Sequence, residues 1–277
     1  MDKVDLHVHT TASDGTVAPK YVVAQAAMLG LKAIAITDHD TMAGIKEAGE
    51  AGEMMGVSII PGIEISSDYQ GREVHVLGYF LDPDAPALQE YYEKSHAAKR
   101  ERNAKIIEKL QKKGFDITLE AVEAENPGIV FGRPHIARYL MKLGVVSSVS
   151  EAFRRYLDRG RSCFVGRELI PFAEASALIR KCGGVSVLAH PLQYGYKRSE
   201  LDALCSAAKD AHFSGIEIYY SGYSESDRAK LFDLAEKYSL LPTGGSDFHG
   251  DNKPEIKLGG VEVPAYFLIM LARSQFN

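Results

Sequence analysis

Cysteine is scarce in this chain: three in 277 residues, Cys163, Cys182 and Cys205, an odd number with no C-x-x-C spacing. That excludes a disulfide framework and a thiolate zinc site, so any metal would need imidazole and carboxylate ligands. Long apolar runs are missing too. The longest, Ala265 to Ala272, is far short of the ~20 residues that span a bilayer. Internal repeats, low-complexity tracts and Pro/Gly/Ser-rich linkers are also lacking, which argues against a solenoid or a freely tethered module. The first residues run directly into a strand-like pattern, so a cytoplasmic location is expected, with no membrane and no obligate protein partner.

What is present is a composition of 45% hydrophobic and 25% charged residues, which fits one large domain or a barrel carrying an insertion. The net charge of −5 is unevenly spread. Between Arg100 and Arg167 there are 14 lysines and arginines against 8 acids, and 9 of the 14 arginines of the chain fall here. A basic element facing an anionic ligand accounts for this; so does a solvated, arginine-rich helical surface.

Short β-rich runs alternate with helical patterns, the signature of an α/β protein with largely parallel strands. Val4 to His9 alternates strictly, Pro19 opens a helix, and Gly30 stops it. The cycle continues with strands expected over 32–37, 57–65 and 73–80, and later over 185–190, 215–220, 241–246 and 261–263. Residues 86–167 break the rhythm with a long charged helix over 87–113 and shorter ones near 118–125, 134–143 and 149–157. The expected organisation is a barrel from 1–85 and 168–277, with 86–167 a helical insertion packing on it as a lid.

The histidines carry the functional signal. His7 and His9, two apart on the first strand, project from one face, as ligands of one metal must. Asp14 follows in the next loop, His39 lies just past the second strand, Glu64 near the end of the third, and His75 in the strand after it. His190 ends the 185–190 strand, and Asp247 and His249 follow the 241–246 strand. In a parallel α/β barrel these positions gather at the C-terminal rim, where catalytic groups sit. Any one of them could be an ordinary hydrogen-bonded or turn-capping residue, but so many buried polar groups at successive strand ends would cost stability without a shared partner. Nine nitrogen and oxygen ligands exceed the three typical of one catalytic ion and suit two or three divalent ions, with Mn, Zn, Fe(II) or Mg compatible. Three such ions against three carboxylates leave a charge of about +3, a well for phosphate. Ions ~3.5–4 Å apart can hold a bridging hydroxide that attacks phosphorus, so phosphoester hydrolysis is the implied reaction.

Asp5-Leu6-His7-Val8-His9, Ser13-Asp14-Gly15, Thr37-Asp38-His39-Asp40, Gly62-Ile63-Glu64, Val74-His75-Val76-Leu77-Gly78, Ala189-His190-Pro191 and Ser246-Asp247-Phe248-His249-Gly250 together resemble the successive motifs of the polymerase and histidinol phosphatase (PHP) family. The resemblance implies a distorted (β/α)7 TIM-like barrel with a trinuclear metal centre. It places His7, His9, Glu64 and Asp247 on one ion, Glu64 with His75 and His190 on a second, and Asp14, His39 and His249 on a third. Gly132-Arg133-Pro134-His135-Ile136-Ala137-Arg138 and Phe153-Arg154-Arg155-Tyr156-Leu157 resemble the stand-alone phosphatases that remove the 3′-phosphate of nucleoside 3′,5′-bisphosphates such as pAp. Arg133, His135 and Arg155 are the implied phosphate-gripping residues, whereas Arg138 and Arg154 read as surface or interhelix pairs. Asp247 or His190 would protonate the leaving oxygen. The run His190-Pro191-Leu192-Gln193-Tyr194 lacks the basic residue some of these phosphatases carry there. The expected substrate is small, phosphorylated and nucleotidic. The alternatives are 5′→3′ exonuclease action on short RNA, cyclic-nucleotide phosphodiesterase and histidinol phosphatase activity, and a non-catalytic metal-bound module.

Overall fold

The structure is a computed structural model that describes residues 3–275; Met1, Asp2, Phe276 and Asn277, at the ends of the expected barrel segments, lie outside it. Along the chain the elements are β1 (Lys3–Val8), α1 (Pro19–Met28), β2 (Ala33–Ile36), α2 (Ile45–Met55), β3 (Ser58–Tyr69), β4 (Arg72–Tyr79), α3 (Pro86–Gln111), α4 (Leu119–Ala124), α5 (Arg133–Lys142) and α6 (Val149–Ala152). They continue with β5 (Ile170–Pro171), α7 (Phe172–Lys181), β6 (Val185–Leu188), α8 (Arg198–Asp210), β7 (Gly215–Tyr220), α9 (Glu225–Tyr238), β8 (Leu241–Gly245), β9 (Val263–Pro264) and α10 (Ala265–Ser274). The chain divides into two compact units, Met1–Gln89 with Leu169–Asn277, and Glu90–Glu168.

In the first unit the sheet runs β8-β7-β6-β4-β3-β2-β1-β9, with β5 added beside β3. It curls into a nearly closed barrel. β9 pairs with the start of β1, and the residues just past β8 complete the wall farther along: Asp247 N–H donates to His7 O at 2.9 Å, and His9 N–H donates to Phe248 O at 3.0 Å. The buried Asp5 carboxylate fastens the same seam, accepting from Ser246 N–H and Gly259 N–H, each at 2.8 Å. Buried carboxylates are stable only when so bonded.

Two strands depart from the parallel pattern, the short closing strand β9, antiparallel to β1, and β4. β4 is antiparallel to both β3 and β6, because Gln70 and Gly71, with φ of 53° and 78°, make a two-residue hairpin turn instead of a helical crossover. His75, opposite Ser66, therefore reaches the rim from the early half of a reversed strand and not from a strand's C-terminal end. Leu6, Ala35, Leu77, Tyr79, Val187 and Ala189 form the core of this unit together with Val263, Phe267 and Leu271. No helix among the described residues is long and apolar enough to cross a membrane.

The second unit has its own core of Ile106, Leu110, Ile117, Val122, Phe131, Ile136, Leu140 and Leu157. The outer face of α3 carries the ion pairs Glu90–Lys94, Glu101–Lys105 and Glu108–Lys112 at i,i+4 spacing, worth only ~0.3–0.5 kcal/mol each. Thr118 and Ser148 cap α4 and α6 by accepting from Ala121 and Glu151 N–H. The helix expected over 149–157 is α-helical only to Ala152; residues 153–157 widen into a π turn closed by Asp158 N–H to Phe153 O at 3.0 Å.

Candidate metal centre

Strand periodicity puts His7 and His9 on one side of β1, and their Nε2 atoms meet at 3.1 Å. Asp247 arrives from the seam beside β1, in a left-handed backbone conformation with φ of 61°. Its Oδ1 lies 3.5 Å from His7 Nε2 and 3.3 Å from His9 Nε2. Glu64 Oε2, from β3, completes the group at 3.3 and 3.1 Å from the same two nitrogens. Those five separations match the edges of a ligand shell ~2.1 Å in radius, which are about 3.4 Å for a tetrahedral ion. Glu64 Oε2 and His9 Nδ1 are buried and accept or make no hydrogen bond, although nitrogens and carboxylates surround them. Crowding of this kind, without hydrogen-bond geometry, is what a shared cation explains. The residues fit a metal.

The same carboxylate extends the centre on its other oxygen. His75 Nδ1 and His190 Nε2 both lie 2.9 Å from Glu64 Oε1. Asp14 Oδ1 is 3.3 Å from His249 Nε2 and 3.7 Å from His9 Nδ1, and Asp14 Oδ2 is 4.0 Å from His39 Nε2. Three groups of candidate ligand atoms result: His7, His9, Glu64 and Asp247; His9, Asp14, His39 and His249; and His39, Glu64 and His75. Glu64 belongs to two groups, as expected of a bridge, and so do His9 and His39, which the sequence motifs place on a single ion each. An imidazole has a nitrogen on each edge, and His39 Nδ1 sits 3.1 Å from Glu64 Oε2. All nine expected ligands lie in this one unit, in or beside these groups.

Four further residues had no role assigned from the sequence. Glu217, fully buried on β7, approaches His7 Nδ1 at 3.0 Å and accepts from His190 N–H at 2.8 Å. Its only signal was one acid in the apolar run Gly215 to Tyr220. Tyr220 donates to Asp247 Oδ2 at 2.7 Å, and Lys253 pairs with the same oxygen at 2.5 Å. Asp38 is buried and accepts from Thr10 N–H and Ser13 Oγ at 2.7 and 2.6 Å, fixing the loop that carries Asp14. Backbone strain concentrates here as well: Asp40, His190 and Asp247 all have positive φ.

Electrostatics follow from this crowding. Burial alone would suppress the charge on His9 and His75, but the adjoining carboxylates outweigh it and push them up to about 9 and about 10. His39 goes the other way: burial brings it down to about 3. Burial would raise Asp247, yet Lys253, His249 and His7 hold it well below the usual carboxylate range. A consequence is measurable. At pH 7 the metal-free chain carries protons on His9 and His75 that a cation must displace, so binding releases protons and apparent affinity rises with pH until the pH exceeds the values of both imidazoles, about 9 and about 10. Calorimetric titration of Mn(II) in buffers of different ionisation enthalpy should show proton release at pH 7; a buffer-independent enthalpy would contradict it.

Arg133, His135 and Arg155 lie in the other compact unit. Arg133 and His135 open α5; Arg133 stacks over Phe153 and Phe164, and the buried His135 accepts from Gly132 N–H at 3.0 Å through Nδ1. Arg155 is engaged within its own segment, donating to Glu151 at 2.8 Å and to Val145 O at 3.2 Å. Arg138 reaches Asn126, in the bend just past α4, at 3.3 Å, so its partner is a loop residue.

The sequence pattern of the PHP domain matches residues 5–160. A 5′-3′ exoribonuclease of Haemophilus influenzae is 36% identical over 247 residues, covering 89% of this chain and 90% of that protein. A 3′,5′-nucleoside bisphosphate phosphatase of Chromobacterium violaceum is 30% identical over 264 residues, covering 95% and 92%. Among solved structures, one described as a metal-dependent phosphoesterase from Bifidobacterium adolescentis superposes with a TM-score of 0.89 at 32% identity, covering 98% of this chain and 96% of the other.

Proposed function

The chain belongs to the PHP family and is a metal-dependent phosphoesterase, and on that premise we propose that it removes the 3′-phosphate of nucleoside 3′,5′-bisphosphates such as pAp. The observation that carries the metal reading is the Glu64 carboxylate, which has three imidazoles within 3.3 Å of one oxygen and two at 2.9 Å from the other. A single carboxylate so surrounded suits adjacent cations that share it.

His7, His9, Glu64 and Asp247 would hold one ion, Glu64 with His75 and His190 a second, and Asp14, His39 and His249, with His9 on their border, a third. Such ions, whether Mn, Zn or Fe, supply Lewis acidity and lower the pKa of water. The chain's own groups do the rest. Asp247 Oδ1 faces the histidines while Tyr220 and Lys253 hold Oδ2, so the carboxylate is oriented and kept anionic, as a cation ligand must be and a proton donor cannot be. His190 is then the group assigned to protonate the leaving oxygen. Arg133, His135 and Arg155 are assigned to substrate phosphate; the excess of basic residues over 100–167 supports a nucleotidic ligand.

Two things support the bisphosphate substrate: the motifs around Arg133 and Arg155, and the C. violaceum phosphatase, aligned over nearly all of both chains. A second reading, 5′→3′ exonuclease action on short RNA, is favoured by the higher identity to the H. influenzae exoribonuclease. Rates with Mn(II) on pAp, a 5′-phosphorylated short oligoribonucleotide and histidinol phosphate separate them. The expected order puts pAp first in kcat/KM, with weak salt dependence because few phosphates are neutralised. A faster and steeply salt-dependent oligoribonucleotide reaction would replace this reading with the second; no turnover of any ester would favour a non-catalytic module.

A further inference from the structure

Glu217 lies outside the nine candidate ligands but touches two of them through different atoms. Its Oε1 is 3.0 Å from His7 Nδ1, while its Oε2 accepts the backbone N–H of His190 at 2.8 Å. His7 and His190 approach opposite oxygens of Glu64: His7 Nε2 is 3.3 Å from Oε2 and His190 Nε2 is 2.9 Å from Oε1. His190 is also strained, with φ of 23° and ψ of 59°, a conformation that persists only when neighbours hold it. Glu217 has no exposed surface, and β7 carries it into the barrel between the two histidines. A carboxylate buried this deeply is costly unless its oxygens are bonded, and here each has a partner.

We propose that Glu217 is a positioning residue that fixes the tautomer of His7 and the backbone of His190, tying two parts of the metal centre to one buried side chain. By accepting a proton held on His7 Nδ1, it leaves Nε2 unprotonated and directed at His9, Glu64 and Asp247, as a ligand nitrogen must be. Its other oxygen stabilises the turn that brings His190 Nε2 to Glu64. The inference rests on the metal reading above.

The substitution Glu217→Gln is a direct probe. Glutamine keeps the shape but offers one acceptor and one donor, whereas both partners present N–H groups. If the amide nitrogen faces His7, the ring is driven to the other tautomer and its Nε2 no longer ligates. If it faces His190, the strained turn loses its acceptor. Zinc affinity of E217Q, measured by chelator competition with the fold checked by circular dichroism, is expected to fall about 10–100-fold. In the zinc-loaded wild-type protein, 15N NMR of the imidazoles should place the His7 proton on Nδ1, a readout that does not require the variant to fold. Wild-type zinc affinity in folded E217Q, or a His7 proton on Nε2, would overturn the role of Glu217 alone. A wild-type chain that takes up no zinc would overturn the metal centre itself.

Discussion

Replacing His7 and His9 together with alanine is expected to lower turnover by at least about 10³-fold and to remove bound metal in parallel. The two Nε2 atoms supply five of the close ligand-ligand separations in the best-formed group, and His9 Nδ1 also borders Asp14, so the pair serves two of the three groups. Without them Glu64 and Asp247 face each other with fewer cations between, and like charges at short range disfavour the arrangement. Elemental analysis of purified protein and rates on pAp with excess Mn(II) measure both losses. Wild-type rates in a metal-free double variant would end the metal-dependent reading of this site.

The second large effect concerns the seam. An added Cβ at Gly245 would overlap the backbone nitrogen and Cβ of His7, because β8 crosses β1 there without room for a side chain. Gly245→Ala must push the two strands apart, at about 3 kcal/mol, the upper range for overpacking. A fall in Tm of roughly 5–10 °C is expected, with weaker metal binding because Asp247, two residues on, is displaced from His7. Gly49→Ala, in α2 with open space at the added atom, is the contrast: it should stabilise slightly, by about 0.5–1 kcal/mol. Equal thermal shifts in the two variants would refute the closeness argued for the seam.

Much of the fold was legible because strand and helix periods are local. The alternation of Val4 to His9 both gave β1 and put His7 and His9 on one face, and Pro19 and Gly30 bracketed α1 with one residue to spare at the end. The direction of β4 was harder to read: Gln70-Gly71 marks a turn, but only the ladder with β3 and β6 makes the strand antiparallel in the middle of a largely parallel wall. The candidate ligands were legible for a related reason. Histidines and acids at strand ends are costly to bury alone, so their repetition points to a common partner.

The residues that escaped notice act through partners distant in the sequence. Glu217 is an isolated acid in an apolar strand, and its meaning depends on His7, 210 positions away. Tyr220 and Lys253 have no pattern of their own until the seam brings Asp247 between them. The sequence by itself determined which side chains could ligate a cation and which strands carry them, since both follow from chemistry and periodicity within a few residues. Only the tertiary structure decided that His9 and His39 each border two groups, that β4 runs backwards, and that a buried glutamate holds His7 and His190, because barrel closure sets distances between segments that no local rule constrains.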